Sequence, residues 1–353
     1  MRLNQQGRKI PKMPTCKLPM RNGRHPFFKL FPLVILKRVL FILLRRVSLW
    51  FTFLSTISKV YDNSSHFLFF SALSSIMSAT GSFMDDLSPV AKGALQLVFV
   101  GIIYIGFAFY NSVVIPAVAA VVPGRIPLHV KPLEKFTTTD KVFIVAAKVV
   151  TALFVYHVYQ FTVNTELSRM SVDFFDVAAV LTALKWFPLH LAILIMVYDF
   201  FYTLFHWALH WPPIYPLIHK HHHRQMAPFR GNSDAINDHP IEYISGEYLH
   251  LFALYVLTRL VPAGQVHAIT AILFIFIGGT LASLNHTRVN FHIPYMFNVN
   301  SHDYHHRQPR VNFGQYVMFW DWVFGTYQAE GSLPADKRAA LQKKAKEEAE
   351  KIQ

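Results

Sequence analysis

Fourteen of the nineteen histidines lie between residues 206 and 306, less than a third of the 353-residue chain. Six of them stand in two short runs, His206-Trp-Ala-Leu-His210 and His219-Lys-His-His222-His223. On a helix His206 and His210 fall about 40° apart, and Asp199, two turns earlier, falls about 20° from His206, a carboxylate placed to orient imidazoles. His219, His222 and His223 share a face of about 100°, whereas His221 points away and is left out of the site. The run His302-Asp-Tyr-His305-His306 repeats the His-x-x-His-His spacing. His286 stands just after a second apolar region, and His239, in Asp-His-Pro-Ile-Glu242, just before it.

Imidazole is a good ligand for Zn, Cu, Fe and Ni. The one cysteine, Cys16, excludes an internal disulfide framework and any cysteine-built metal site, so ligands must be nitrogen or oxygen. A structural zinc site is saturated by four ligands, and nine or ten histidines therefore point to two neighbouring metals. Soluble di-iron bundles use Glu and Glu-x-x-His motifs, for which this chain offers almost no carboxylate at matching spacings. The His-Glu-x-x-His signature of metalloproteases is absent. His25, His66, His129, His157 and His190 are read as packing, interface or solvent residues, and His250 and His267 as satisfied buried ones.

The elements that must position these groups are apolar. Hydrophobic residues make up 53% of the chain and charged ones 15%, with mean hydropathy +0.29, against about 25% charged in soluble domains. The composition is that of a membrane protein. Crossing a bilayer takes about 20 apolar residues, and the stretches 93–114, 142–163 and 181–205 qualify, the first broken by Pro116. Residues 248–284 fit two antiparallel helices joined by a tight turn, with both ends on one side. Residues 64–84 are long enough to span, and 31–53 read as an interfacial basic helix or part of a targeting segment. Residues 1–60 hold thirteen Lys/Arg and no acid, so the net charge of +14 resides mainly there and says nothing for nucleic-acid binding by the body. By the positive-inside rule the basic 124–141 loop is cytosolic, which brings 206–247 and everything from 286 onward to the cytosolic face.

With these residues in place, the chain from about residue 191 to 327 resembles the fatty acid hydroxylase superfamily, which includes sterol desaturases, methyl-sterol oxidases and sphingolipid or fatty-acid hydroxylases. The matching pieces are His206-x-x-x-His210, His219-x-x-His222-His223, His239-Pro-x-Glu242, His286, His302-x-x-His305-His306 and Trp320-Asp-Trp-Val-Phe-Gly-Thr326. Trp207, Arg288, Val289 and Asn290 depart from common family patterns. The resemblance implies an all-α integral membrane bundle with a cytosolic, histidine-rich dimetal cap. It implies two iron ions held by His206, His210, His219, His222, His223, His286, His302, His305 and His306, with His239 a tenth, and Asp199, Glu242, Asp303 and Asp321 accepting from imidazole N–H groups. It further implies O2 as co-substrate and electrons from NAD(P)H through cytochrome b5 or a similar carrier, for which Lys220, Arg224, Arg307 and Arg310 offer a basic docking face.

The reading is thus a membrane oxidoreductase that hydroxylates or desaturates a lipid, a sterol or sterol precursor first. A fatty-acid or sphingolipid hydroxylase or an isoprenoid epoxidase is the alternative within the superfamily, and a histidine-rich metal-binding or transport protein the alternative outside it. The expected organisation is a basic leader or anchor over 1–62, membrane helices over 63–185, a catalytic domain over 186–328 and a charged tail over 329–353. The expected location is the endoplasmic reticulum membrane, or an organellar membrane if the leader is a transit peptide.

Overall fold

The computed structural model describes residues 88–332 except 295, together with positions 339, 340, 343 and 347. The expectations for 1–62, 31–53 and 64–84, and for most of the charged tail, lie outside the described residues. Those described are helical, with a single two-stranded ribbon of His292–Ile293 and Phe297–Asn298.

Three helices are long and apolar enough to cross a membrane: α1 (Pro89–Val121), α2 (Thr138–Val163) and α3 (Val177–Leu209). Each starts where a side chain meets an otherwise unpaired backbone N–H. Ser88 caps α1 with Pro89 behind it, Asp176 caps α3, and Thr137 and Asp140 form a reciprocal capping box on α2. Pro116 does not end the first helix, contrary to the sequence expectation. The chain widens into a π turn over Tyr110–Val114, so that the Ile115 N–H bonds to the Tyr110 carbonyl, and the helix then runs on to Val121. The extra residue in that turn absorbs the proline that would otherwise clash with the preceding turn. Pro188 likewise sits inside α3 without stopping it.

The two-helix region begins earlier than its apolar pattern, as α4 (Pro240–Leu260) followed by α5 (Ala268–Leu284). The His239 side chain caps α4, and Pro240 has the fixed φ that a first helical turn requires. α3 packs on α4 and α5, and α2 on α1 and α4. The buried centre comprises Phe161, Leu194, Leu254, Leu257, Phe274 and Tyr316. The outer faces stay apolar: Leu97, Ile102, Ile105 and Phe109 on α1 and Val142, Val145, Val149 and Leu153 on α2 are exposed, as side chains meant for lipid are.

Length positions the site. Thirty-three residues make α3 about 50 Å long against a hydrocarbon layer of about 30 Å. His206 lies in its last turn, where α6 (Val299–Arg307) meets it through His305, the ring centroids 4.6 Å apart, and α7 (Phe319–Phe324) packs along it with Trp320 4.8 Å from Phe200.

A candidate dimetal centre at the end of the third helix

Nine histidines come together as two groups. His206, His210, His219, His223 and His305 form one, and His222, His286, His302 and His306 the other; within each group the candidate ligand nitrogens all lie within 4.8 Å of one another. The groups adjoin, with the ring centroids of His223 and His306 5.0 Å apart and those of His222 and His223 5.9 Å apart.

The boxes are interleaved. Residues four apart go to the same group, as His206 with His210, His219 with His223 and His302 with His306, while His222 and His305 cross to the other one. The expectation that His219, His222 and His223 present one common face is therefore corrected. Residues 222–224 form a tight 3-10 turn rather than a regular helix, which swings His222 toward His286. His221, left out of the site, indeed turns away onto Asp140 and Asn237, both at 3.0 Å.

The hydrogen bonds fix what these rings can bind. His206 Nδ1 donates to the Phe313 carbonyl at 2.8 Å, His305 Nδ1 to the Val311 carbonyl at 2.6 Å, His286 Nδ1 to the Ala282 carbonyl at 3.0 Å and His219 Nδ1 to Glu242 Oε1 at 2.6 Å. A neutral imidazole that donates from Nδ1 has only a lone pair at Nε2. Yet His206 Nε2 faces His219 Nε2 at 2.9 Å, and the Nε2 atoms of His210 and His305 are buried with no hydrogen-bond partner. Converging lone pairs without a proton between them are the donor set of a cation, which the five-imidazole group fits; in the other group the candidate ligand nitrogens lie equally close, with the His286 Nδ1 proton held by a carbonyl. Electrostatics agree. Burial and the neighbouring imidazoles hold His219, His222, His223, His302 and His306 well below the ordinary histidine range, and burial pushes His305 down to about 3. The rings are thus neutral and available as ligands near pH 7.

Of the four expected carboxylate partners only Glu242 touches an imidazole. Asp199 accepts instead from the backbone N–H groups of Gln315, Tyr316 and Val317, and Asp321 from those of Phe313 and Gly314, both at 2.7 Å, and from the Thr326 hydroxyl at 2.6 Å. Asp303 pairs with Arg288 at 2.5 Å and Arg307 at 2.9 Å. The reason is local supply: the buried loop 311–317 has amides with no helix or strand to join, and a buried amide must be paired. These carboxylates act one step removed, by holding the loop whose Val311 and Phe313 carbonyls orient His305 and His206. Gly314 is required there, because a Cβ would lie 2.7 Å from the Val317 carbonyl oxygen and 2.9 Å from Asp321 Oδ2.

His239 does not join either group. Its Nδ1 accepts from the Ile241 N–H at 3.3 Å, and its ring meets Phe143 edge-on. His292 is exposed on the short ribbon. His239→Ala should therefore leave the metal content of purified protein unchanged, at a cost of about 1 kcal/mol from the lost helix cap. Glu242→Gln, which weakens the acceptor for His219 Nδ1–H, should instead lower metal affinity about 10- to 100-fold in a competition titration against a chelator. The basic docking face is reduced. Arg307 is enclosed between Asp303 and Glu330, and Arg224 lies 3.5 Å from Asp140, which leaves Lys220 and Arg310 exposed.

Val311, Phe313 and Ala282 take part through backbone carbonyls alone and carry no side-chain signature that sequence reading could find. Only the clustering of Asn312, Gly314 and Asp321 before Thr326 hints at a loop built for a purpose.

A helical chain with long apolar helices and two adjoining sets of converging neutral imidazoles defines a membrane protein with a candidate dimetal centre. Comparison gives the family. Residues 191–326, under half of the chain, match the family model described as "Fatty acid hydroxylase", which supports membership of that superfamily. It is 27% identical over 114 residues to a protein of Arabidopsis thaliana described as "Putative Delta(7)-sterol-C5(6)-desaturase 2". That alignment covers 31% of this chain and 37% of the relative, so the chain matches well under half of that protein's length. No solved structure matches.

Proposed function

We propose that the chain is a membrane-bound, non-haem di-iron oxidoreductase that hydroxylates or desaturates a lipid, a sterol or sterol precursor in the first place. The observation that carries this reading is the sorting of nine imidazoles, eight of them buried and His210 half-buried, into two adjoining groups whose candidate ligand nitrogens lie within 4.8 Å of one another. His206, His210, His219, His223 and His305 would hold one ion, and His222, His286, His302 and His306 the other, the four-imidazole group having room for a further ligand. When bound, the metal pair would supply the activation of O2 needed to attack an unactivated C–H bond.

The protein's part is positioning. Glu242 and the carbonyls of Phe313, Val311 and Ala282 hold the Nδ1 protons and so keep the Nε2 atoms free for metal. Asp199 and Asp321 keep the loop behind them from shifting. Burial keeps water from the site and the rings neutral. The basic 124–141 loop supports a cytosolic site by the positive-inside rule, and in the endoplasmic reticulum membrane such a site would suit delivery of electrons from NAD(P)H through a cytochrome b5-type carrier, with Lys220 and Arg310 as exposed contacts. Residues 186–328 form the catalytic domain in this reading. A transport path would need ligands spread along the membrane helices, and these gather at the C-terminal end of α3 and the segments that meet it.

The test joins metal analysis with lipid profiling. Purified protein should hold two irons per chain, and cells lacking it should accumulate one unoxidised lipid. One ion or none per chain, or an unchanged lipidome, overturns the proposal, and an accumulating fatty acyl lipid in place of a sterol moves the substrate to the alternative within the superfamily.

A further inference from the structure

A line of tyrosines leaves the five-imidazole group and runs into the core of the bundle. Tyr198, Tyr202, His206 and His210 recur every fourth residue along α3 and so share one face. The Tyr202 ring lies 5.4 Å from His206, and Tyr198 stacks on Tyr202 at 5.5 Å with 16° between the planes. Tyr316, from the loop after α6, follows at 4.9 Å from Tyr198. Tyr198 and Tyr316 are 3% and 2% exposed and lie among Leu194, Leu254 and Phe274.

The line ends on a base. His250 Nδ1 faces the Glu247 carbonyl at 3.1 Å, and a carbonyl can only accept, so Nδ1 carries the ring proton and Nε2 is a lone pair. The Tyr316 hydroxyl donates to that lone pair at 2.7 Å. Gly278 on α5 makes room for this bond, since a Cβ there would stand 2.7 Å from Tyr316 Oη and 2.8 Å from His250 Nε2. Tyr198 has no such base, and its hydroxyl donates to the Gly246 carbonyl at 3.2 Å. Packing alone asks only for apolar side chains at 250 and 316, with no polar atom to satisfy. Rings in contact pass single electrons, and a phenol yields an electron far more readily when its proton can leave at once to a hydrogen-bonded base. The oxidised phenol is a much stronger acid than an imidazolium, so even a buried imidazole takes the proton.

We infer that Tyr316 and His250 form a redox-active pair, which draws an oxidising equivalent away from the histidine-bound metals when no lipid is in position to consume it. Tyr316 gives one electron, through the Tyr198 and Tyr202 rings, to the metal pair oxidised by O2, and its O–H proton moves to His250 Nε2. Tyr316 is left a neutral phenoxyl radical, His250 an imidazolium, and the metals are reduced by one electron. One electron from the carrier that serves the centre, with return of the proton from His250, restores both side chains. Tyr316 is the end of the line because Tyr198 has only a carbonyl to receive its proton. The inference rests on the oxidoreductase reading for the source of the oxidising equivalent, whereas the redox activity of the pair itself does not.

The test separates the pair from turnover. The full chain in nanodiscs, with Cys16→Ser, carries a ruthenium polypyridyl photo-oxidant on Trp211→Cys, an exposed position just past α3, and is loaded with redox-inert zinc. A flash in the presence of an external electron acceptor leaves one hole on the ruthenium, and a phenoxyl absorbance and EPR signal should follow. In this parent chain the radical should couple to an exchangeable proton and to isotope-labelled histidine nitrogen. Tyr316→Phe should lose the signal. His250→Gln, which keeps an acceptor for the hydroxyl but offers no base, should slow its formation at least about 100-fold. Thermal melts report that both variants fold. No phenoxyl in the parent, no coupling to histidine, an undiminished signal in a folded Tyr316→Phe chain, or formation at the parent rate in His250→Gln would each overturn the inference. The iron-loaded chain, given O2 and reductant without lipid, should form the same radical. If it oxidises added lipid yet forms no radical without it, the inference fails and the oxidoreductase reading stands. If it does neither while the flash-induced radical persists, the oxidoreductase reading falls and the redox pair stands.

Discussion

His222→Ala should reduce bound metal from two ions per chain to about one and lower the yield of oxidised lipid at least about 100-fold, whereas His221→Ala, one residue away, should retain both ions. The contrast follows from geometry. His222 belongs to the smaller group, and its removal leaves three imidazoles there, while His221 turns outward onto Asp140 and Asn237. The site should keep its five-imidazole half because none of His206, His210, His219, His223 or His305 is touched. Metal analysis of the two purified variants, alongside lipid profiling of cells that express them, reads the difference. Retention of both ions by His222→Ala would show that the second group is not a metal site.

Asp321→Ala should be the most damaging change outside the histidines. The carboxylate is fully buried and satisfies the N–H groups of Phe313 and Gly314 and the Thr326 hydroxyl. Removing it leaves two buried N–H donors unpaired at about 1–3 kcal/mol each, while the half-buried Thr326 hydroxyl retains the Asp321 backbone carbonyl, a total of several kcal/mol. That is a large part of the stability of an ordinary domain. The loss also frees the carbonyl of Phe313 and so the orientation of His206. Asp321→Asn keeps an acceptor oxygen in place and should cost about 1–2 kcal/mol. Thermal melts in detergent with metal content measured in parallel check both, and equal melts for the alanine variant and the parent chain would refute the role given to this loop.

The site was legible in the spacing of its histidines. The repeated His-x-x-His-His runs and the flanking apolar stretches suffice to bring His206, His222, His286 and His305 to one end of the bundle. The partition into two groups was not legible, because it depends on the 3-10 turn at 222–224, and helical periodicity describes only regular helices. Asp199 was correctly placed on the histidine-bearing helix, yet its partner is the 315–317 backbone. Sequence names side chains, and here the decisive partners are amides and carbonyls of a loop. The same holds for Pro116, whose effect depends on whether the preceding turn can widen, as Tyr110–Val114 does.

The interleaving of the boxes ties the two groups to the same segments of chain. Each His-x-x-His-His run contributes rings to both, so a shift of either run as a whole would move the rings of both groups together, whereas a single side chain can be removed from one alone.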